Sequence, residues 1–271
     1  VYDGEISDAE LADLIAYLES LKQPPTEAPN TSAAAPTAAP ASLGLFEGQA
    51  DVGRVAKPGS AVHDEPKQSY TISGAGENMW FDADAFHFVW CRAKGDLSLS
   101  ADVAFEGEGK NPHRKAVLMI RQSLDADSAY ADVALHGDGL TSLQFRDAQG
   151  ATTHEIQAGV KGPERLRIEK RGGVVRMWLA PRGADLAFSG AAQTIAFTEP
   201  FYVGLGVCSH ENEVVERAVF TNVTINTDLP RTGAGSKLYS TLETQSIAST
   251  DRRVAYVAPG RFEAPNWLPD G

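Results

Sequence analysis

The chain has 271 residues, a net charge of −12 from 36 acidic and 24 basic side chains, and 42% hydrophobic residues. The hydrophobic fraction supports a real core and excludes wholesale disorder. The negative charge argues against nucleic acid and anionic membrane surfaces as partners. No apolar run approaches the roughly 20 residues of a membrane-spanning helix, so we expect no membrane insertion. Because the sequence begins at Val1, we expect it to be part of a longer protein.

The first 44 residues divide into a helix and a linker. Residues 1–22 carry large apolar side chains at helical spacing, which predicts one amphipathic helix. These side chains are Leu11, Leu14, Ile15, Leu18 and Leu21. Residues 23–44 are rich in Pro, Ala, Ser and Thr, and offer little apolar surface to offset the entropy of ordering. We predict an extended linker there.

Residues 45–228 are built from short alternating segments separated by Gly, Asp, Asn and Pro, a pattern typical of an antiparallel all-β domain. A second linker at 229–237 precedes two more strand-like segments within 238–271. The two cysteines, Cys91 and Cys208, are too few for a disulfide scaffold, and the sequence leaves open whether they bond to each other.

Alternation with a period of two separates the faces of the predicted strands. One set of residues is predicted to fill the space between two sheets: Leu118, Ile120, Val133, Leu135, Leu143, Phe145, Leu166, Ile168, Val203 and Leu205. By the same rule, Phe86, Phe88 and Trp90 are predicted to be core residues. His87 is then expected on the opposite, polar face.

The polar face is the candidate ligand-binding site. Its predicted members are Arg121, Asp132, His136, Gln144, Arg146, His87 and His210, with Trp80 in a preceding loop. Planar donors and acceptors of this kind can bind pairs of hydroxyls, and an indole ring can stack on a sugar. Glycines at 204 and 206 would let a ligand approach the backbone. The alternative is that this is the ordinary solvated face of an antiparallel sheet.

Weaker patterns point to other chemistry. The run Glu211, Glu213 and Glu216 only partly matches the paired carboxylates of a glycoside hydrolase, and it is expected to be a loop between strands, so we assign no catalytic residue. Four carboxylates, Asp82, Asp84, Asp125 and Asp127, offer oxygen ligands to Ca²⁺ without the usual ligand loop. We expect no cofactor in this chain.

Three stretches resemble known families. The stretch DGEISDAELADLIAYLESLK resembles the last helix of a class I cytochrome c. Because the haem-attaching C-x-x-C-H motif is absent, haem is expected only upstream. The central stretches NMWFDADAFHFVW, RLRIEKRG and FYVGLGVCSH resemble concanavalin A-like, laminin G-like jelly-roll domains of unknown function from bacterial exported proteins. The closing turn, PNWLPDG, is similar to the blade turn of a TolB-like β-propeller.

These resemblances imply an all-β, two-sheet antiparallel jelly-roll sandwich at 45–228, with a partial propeller beginning at 238. They also imply a periplasmic or secreted bacterial protein, whose adjoining domains are partners. The function we expect is noncatalytic recognition of a carbohydrate or another polyhydroxylated polymer. The alternatives are a structural spacer or protein-docking domain and, third, a glycoside hydrolase.

Overall fold

The computed structural model describes residues 42–229 and 237–262. The predicted helix at 1–22 and nearly all of the linker at 23–44 lie outside the described residues. Eighteen strands form within the described ranges: β1 (Gly48–Val52), β2 (Ser60–Asp64), β3 (Ser69–Gly74), β4 (Met79–Trp80), β5 (Ala83–Asp84), β6 (Phe86–Ala93), β7 (Leu97–Phe105), β8 (Lys115–Arg121), β9 (Tyr130–His136), β10 (Thr141–Arg146), β11 (His154–Gln157), β12 (Arg165–Arg171), β13 (Val174–Ala180), β14 (Ala187–Thr194), β15 (Phe201–Cys208), β16 (Glu216–Asn226), β17 (Tyr239–Gln245) and β18 (Arg252–Pro259). None of the described residues belongs to a helix of the length and apolarity that crossing a membrane would demand.

Two large sheets pack face to face. The first has nine strands in the order β1-β6-β15-β8-β9-β10-β11-β18-β17, and the second has seven in the order β14-β13-β12-β7-β16-β3-β2. Neighbours run antiparallel except β11 and β18, which are parallel. Strands β4 and β5 form a short separate hairpin. The predicted two-sheet antiparallel jelly-roll sandwich is confirmed.

The space between the sheets holds the main core. All ten residues that alternation assigned to this space are buried in one apolar cluster there. Leu118 pairs in register with both Val133 and Leu205, so cross-strand neighbours point to the same side. This agreement follows from the strict two-residue repeat, because a slip of one residue would have reversed every side chain.

The outer face of the nine-stranded sheet, on the side away from the seven-stranded sheet, is also buried along much of its length. A second apolar cluster lies there and includes Phe86, Phe88, Met119 and Tyr130, with Trp90 packed against it. Phe86 and Phe88 are therefore buried core residues as predicted, but they lie in this outer cluster and not between the sheets, and Trp90 is partly buried against it. Both faces of β6 are covered, so apolar character alone could not identify the inner one.

His87 points between the sheets, on the same side as Val89. Its Nδ1 lies 2.8 Å from Asp51 Oδ1 and its Nε2 lies 3.1 Å from Gln49 Oε1. Burial lowers the pKa of His87, and Asp51 opposes that shift. The prediction that His87 belongs to the polar outer face is wrong, because both faces of β6 are covered and the alternation did not show which face is the inner one.

The glycine strand β15 does face outward at Gly204 and Gly206, but no ligand space lies above them. A Cβ built on Gly206 would stand 2.8 Å from Cε2 of Phe86, and one on Gly204 would meet the backbone of Val89. The glycines therefore make room for the neighbouring strand and its Phe86 ring.

The two cysteines are free and lie on opposite sides of the sheet. Cys91 packs against the core between the sheets, whereas Cys208 belongs to the outer apolar cluster. Burial raises the pKa of each thiol to about 11. Both sulfurs are consequently protonated at neutral pH and are weak nucleophiles.

The β17–β18 hairpin extends the nine-stranded sheet. Strand β18 pairs with β11 through Ile156–Arg252 and Gln157–Arg253, and Val254 is buried in the main core. The described part of the segment that was predicted to begin a propeller thus completes the sandwich. Its continuation into a propeller stays a prediction.

Replacing Gly206 with Ala tests the packing of β15. The added methyl would press on the Phe86 ring, and we expect a loss of about 1–3 kcal/mol in the free energy of unfolding, measured by urea denaturation. Gly173→Ala is the matched control, because its Cβ would lie 3.8 Å from the nearest atom and should change little. Equal stability of the two variants would contradict this packing.

Candidate functional site

One end of the outer face is closed by a buried ion triad. Asp84, on the β4–β5 hairpin, lies 2.8 Å from Nη2 of Arg146 and 3.3 Å from Nη1 of Arg121. All three side chains are fully buried. Burial raises the pKa of Asp84, and the two guanidinium groups oppose that shift. The triad joins the hairpin to strands β8 and β10.

The remaining donors of both arginines are bound to backbone carbonyls. Arg121 donates from Nε to Ser123 O and from Nη2 to Asp125 O, each at 2.6 Å. Arg146 donates from Nη1 to Ser128 O at 3.0 Å and from Nε to Ala151 O at 3.0 Å. The sequence correctly placed Arg121 and Arg146 on the outer face, but their donors are occupied by the protein itself.

The other end of the outer face holds a second group of polar residues. This group, which we call the polar cluster, consists of Lys115, Asp132, His136, Ser142 and Gln144, and all five are buried. Gln144 Nε2 lies 3.3 Å from His136 Nε2. Lys115 Nζ donates to Asn78 Oδ1 at 2.7 Å and to Met79 O at 3.3 Å.

Several polar atoms of this cluster lack a good partner. They are both carboxylate oxygens of Asp132, Nδ1 of His136, Oγ of Ser142 and Oε1 of Gln144, none of which makes a hydrogen bond to the described residues. Leaving a buried polar group unsatisfied costs about 1–3 kcal/mol. The polar cluster can therefore form additional hydrogen bonds, mostly as an acceptor.

The protonation of the polar cluster is shifted toward neutral forms. Burial raises the pKa of Asp132 well above its usual range, and Lys115 opposes that shift. Burial also lowers the pKa of Lys115. The pKa of His136 falls to about 3, first through burial and then through the nearby Lys115, His113 and His210.

Three more residues border the polar cluster on its solvent side. The His113 ring centroid lies 5.5 Å from that of His210 and 6.1 Å from that of His136. Lys115 Nζ lies 5.5 Å from the centre of the Trp80 ring. His210 and Trp80 are half-buried, so the structure brings these two predicted residues to the border of the cluster.

An open polar cleft lies beside the polar cluster, over the strands at the edge of the sheet. Its volume is about 330 Å³. Its lining residues are Glu155, Gln157, Thr244, Ser246, Ser249, Asp251, Arg252 and Arg253. Glu155 is the cross-strand neighbour of Gln144, and Gln157 is that of Ser142. The outer face is thus continuous from the polar cluster into the cleft.

Hydrogen bonds within the cleft engage some of its groups. Asp251 Oδ1 accepts from the backbone N–H of Glu155 at 3.1 Å, and Glu155 Oε1 accepts from Gln157 Nε2 at 2.6 Å. Arg252 donates to Glu243 and Gln193 on the side away from the cleft. In the described part of the chain, no ion pair or hydrogen bond engages the exposed side chain of Arg253.

Sequence reasoning missed the cleft residues. Glu155 and Gln157 flank Ile156, and this alternation was a sufficient signal for their outward position. Arg253 and Thr244 could not be added to the site, because their segment was assigned to a different domain. Only the parallel pairing of β18 with β11 brings them to this face.

The other sequence patterns do not assemble into sites. Glu216 Oε2 accepts from Arg114 Nη1 at 2.6 Å, while Glu211 and Glu213 lie in the loop before β16. Among residues 42–229 and 237–262, no group of three or more His, Cys, Asp or Glu side chains is arranged to hold a metal ion. Asp84, one of the suggested Ca²⁺ ligands, is paired with arginines instead.

Comparisons with known proteins add fold-level likenesses only. No family model and no curated protein matches the chain. A protein of unknown function from Saccharomyces cerevisiae is 15% identical with a TM-score of 0.49, covering 64% of this chain and 97% of its own. A family 7 alginate lyase, A1-II′, is 9% identical with a TM-score of 0.42, covering 63% and 83%. A glycosyl hydrolase family protein from Mycobacterium fortuitum is 12% identical with a TM-score of 0.39, covering 69% and 94%. At these values the likenesses assign no activity to this chain.

Replacing Asp84 with Asn tests the ion triad. The variant keeps the shape of the side chain but leaves two buried guanidinium groups without a counter-charge, so we expect a loss of about 3–5 kcal/mol in the free energy of unfolding. Asp82→Asn, an exposed neighbour in the same hairpin, should be nearly neutral. A loss below about 1 kcal/mol in Asp84→Asn, measured by urea denaturation, would contradict a structural role for the triad.

The depressed pKa of His136 predicts a pH effect on stability. An unfolded chain binds a proton at this histidine near the ordinary value of 6.5, whereas the folded chain does so only near pH 3. Between these values the unfolded state holds more protons, so stability decreases as pH falls. We expect His136→Asn to lose less stability between pH 7 and pH 4 than the unmodified protein. Parallel slopes in the two proteins would refute this prediction.

Proposed function

We propose that the sandwich is a noncatalytic recognition module and that the cleft beside the polar cluster binds a neutral polyhydroxylated ligand, a carbohydrate. The observation that carries this proposal is the continuity of an open cleft, lined by polar residues, with a cluster of buried groups that lack hydrogen-bond partners among the described residues. Hydroxyl groups both donate and accept, so a sugar matches such a surface better than an apolar ligand does.

The charges of the cleft favour a neutral ligand. Glu155 and Asp251 contribute two carboxylates and Arg253 contributes one guanidinium group, because Arg252 is paired with Glu243 away from the cleft. The remaining lining residues are hydroxyls and one amide, which can bind hydroxyls without a net charge on either side. A strongly anionic or cationic ligand would meet like charges as well as opposite ones.

The hydrogen bonds of the cleft favour recognition over catalysis. Asp251 and Glu155 each accept a hydrogen bond from within the site. Carboxylates held in this way suit the positioning of a ligand, whereas general acid and base catalysis needs a group directed at the reacting atoms.

The second candidate function is a structural spacer. It is favoured by the Asp84 triad, which fills the Arg121 and Arg146 end of the face that was predicted to bind a ligand. In that case water molecules form hydrogen bonds with the unpartnered groups of the polar cluster, and no ligand binds in the cleft.

A glycan array followed by calorimetry tests the proposal. The intact chain is expected to retain neutral oligosaccharides, and Gln157→Ala and Arg253→Ala are each expected to weaken binding by about 1–3 kcal/mol, the range for a hydrogen bond to a charged or amide group. Arg182→Ala is the control, because Arg182 is an exposed arginine in the turn between β13 and β14, away from the cleft. An array on which no glycan is retained by the intact chain would favour the spacer. Binding by both cleft variants equal to that of Arg182→Ala would refute the cleft as the binding site.

A further inference from the structure

The outer face of the β17–β18 hairpin continues beyond the cleft. Thr244 pairs with Arg253, and both line the cleft. A register shift follows between Leu242 and Glu243, after which Leu242 pairs with Tyr256. Because Val254 lies in the core and Val257 packs against it, the residues next to them in the alternation, Arg253 and Tyr256, lie on the outer side.

Two aromatic rings form an exposed pair on this outer side. Tyr256 is 58% exposed and Phe262 is 39% exposed. Their ring centroids are 5.8 Å apart with an angle of 57° between the planes. Exposed aromatic rings offer apolar faces on which a ligand can stack. Strand geometry places Tyr256 roughly 10 Å along β18 from Arg253, since each residue advances the strand by about 3.3 Å.

We infer that Tyr256 and Phe262 form a second subsite and that the carbohydrate is an extended chain rather than a single sugar. This inference rests on the proposed function. Polar groups in the cleft bind the hydroxyls of one sugar unit, while the apolar face of a later unit stacks on the Tyr256 ring. A monosaccharide held in the cleft does not reach an aromatic ring roughly 10 Å away, so only a longer chain gains from both subsites.

The occupant of the aromatic pair follows from its position. The pair lies on the same face as the cleft and in line with it along one strand, so a ligand leaving the cleft along β18 meets Tyr256 next. Each unit of a sugar chain has hydroxyls at its edge and C–H bonds on its face, so a polar cleft and an aromatic ring can bind different units of one chain. A second protein docked at this site would not depend on the cleft.

The test uses the intact chain and a panel of neutral linear oligosaccharides of one to six units, built from glucose, mannose, galactose or xylose. We expect affinity to rise with length, and we expect Tyr256→Ala to weaken binding of the six-unit probe by at least about fivefold while leaving one-unit probes unchanged. Tyr256→Phe keeps the ring and should retain affinity. Phe81→Ala removes a comparably exposed aromatic side chain from the β4–β5 hairpin and serves as the control.

The outcomes separate the two proposals. If the intact chain binds none of the panel, the proposed function fails and this inference fails with it. If Gln157→Ala weakens binding but Tyr256→Ala does not, and affinity is independent of length, the cleft is a carbohydrate site and the second subsite is refuted. If Tyr256→Ala weakens binding as much for one-unit as for six-unit probes, the two-subsite arrangement is also refuted.

Discussion

The attraction between Asp84 and the pair Arg121 and Arg146 determines how the outer face of the nine-stranded sheet is arranged. Arginines on two strands of a sheet would ordinarily extend into water. Here the Asp84 carboxylate, on the two-residue strand β5, forms buried ion pairs with both arginines. Backbone carbonyls accept hydrogen bonds from the other guanidinium N–H groups. The β4–β5 hairpin is thereby held against the sheet, and the rings of Phe86 and Tyr130 are covered. Such networks specify one arrangement even where they add little net stability.

The same hairpin gives the outer face two ends with different properties. Near Asp84 every strong donor has a partner within the protein. Near Lys115, Asn78 Oδ1 and the carbonyl of Met79 accept hydrogen bonds from the Lys115 ammonium group. Asp132, Ser142, His136 and Gln144 keep polar atoms that have no hydrogen-bond partner among the described residues. The polar groups of the face are consequently satisfied at one end and partly unsatisfied at the other. The two ends of the outer face are separated by only a few residues along each strand.

The sequence was informative where one face of a strand is apolar and the other is not. Leu118, Val133 and Leu143 were assigned correctly for that reason. It failed at His87, because β6 is covered on both sides. Phe86 and Phe88 face the outer apolar cluster, and the buried His87 points between the sheets. Burial of Arg121 could not be predicted, since the partner that neutralises it lies 37 positions away in a two-residue strand. Arg253 reached the site only through a parallel pairing, which leaves no mark in local patterns.

The pairing of β18 with β11 has a consequence for the order in which the molecule is completed. Glu155 and Asp251, which are bonded across this junction, are 96 positions apart in the chain. During synthesis the other seven strands of the larger sheet emerge well before the hairpin that finishes it. Until the hairpin arrives, β11 is an unpaired edge able to join another chain, a known route to aggregation. The cleft is formed at that same late moment, because its lining comes from β11 and from the hairpin, so a sandwich that still lacks its final strands has no cleft.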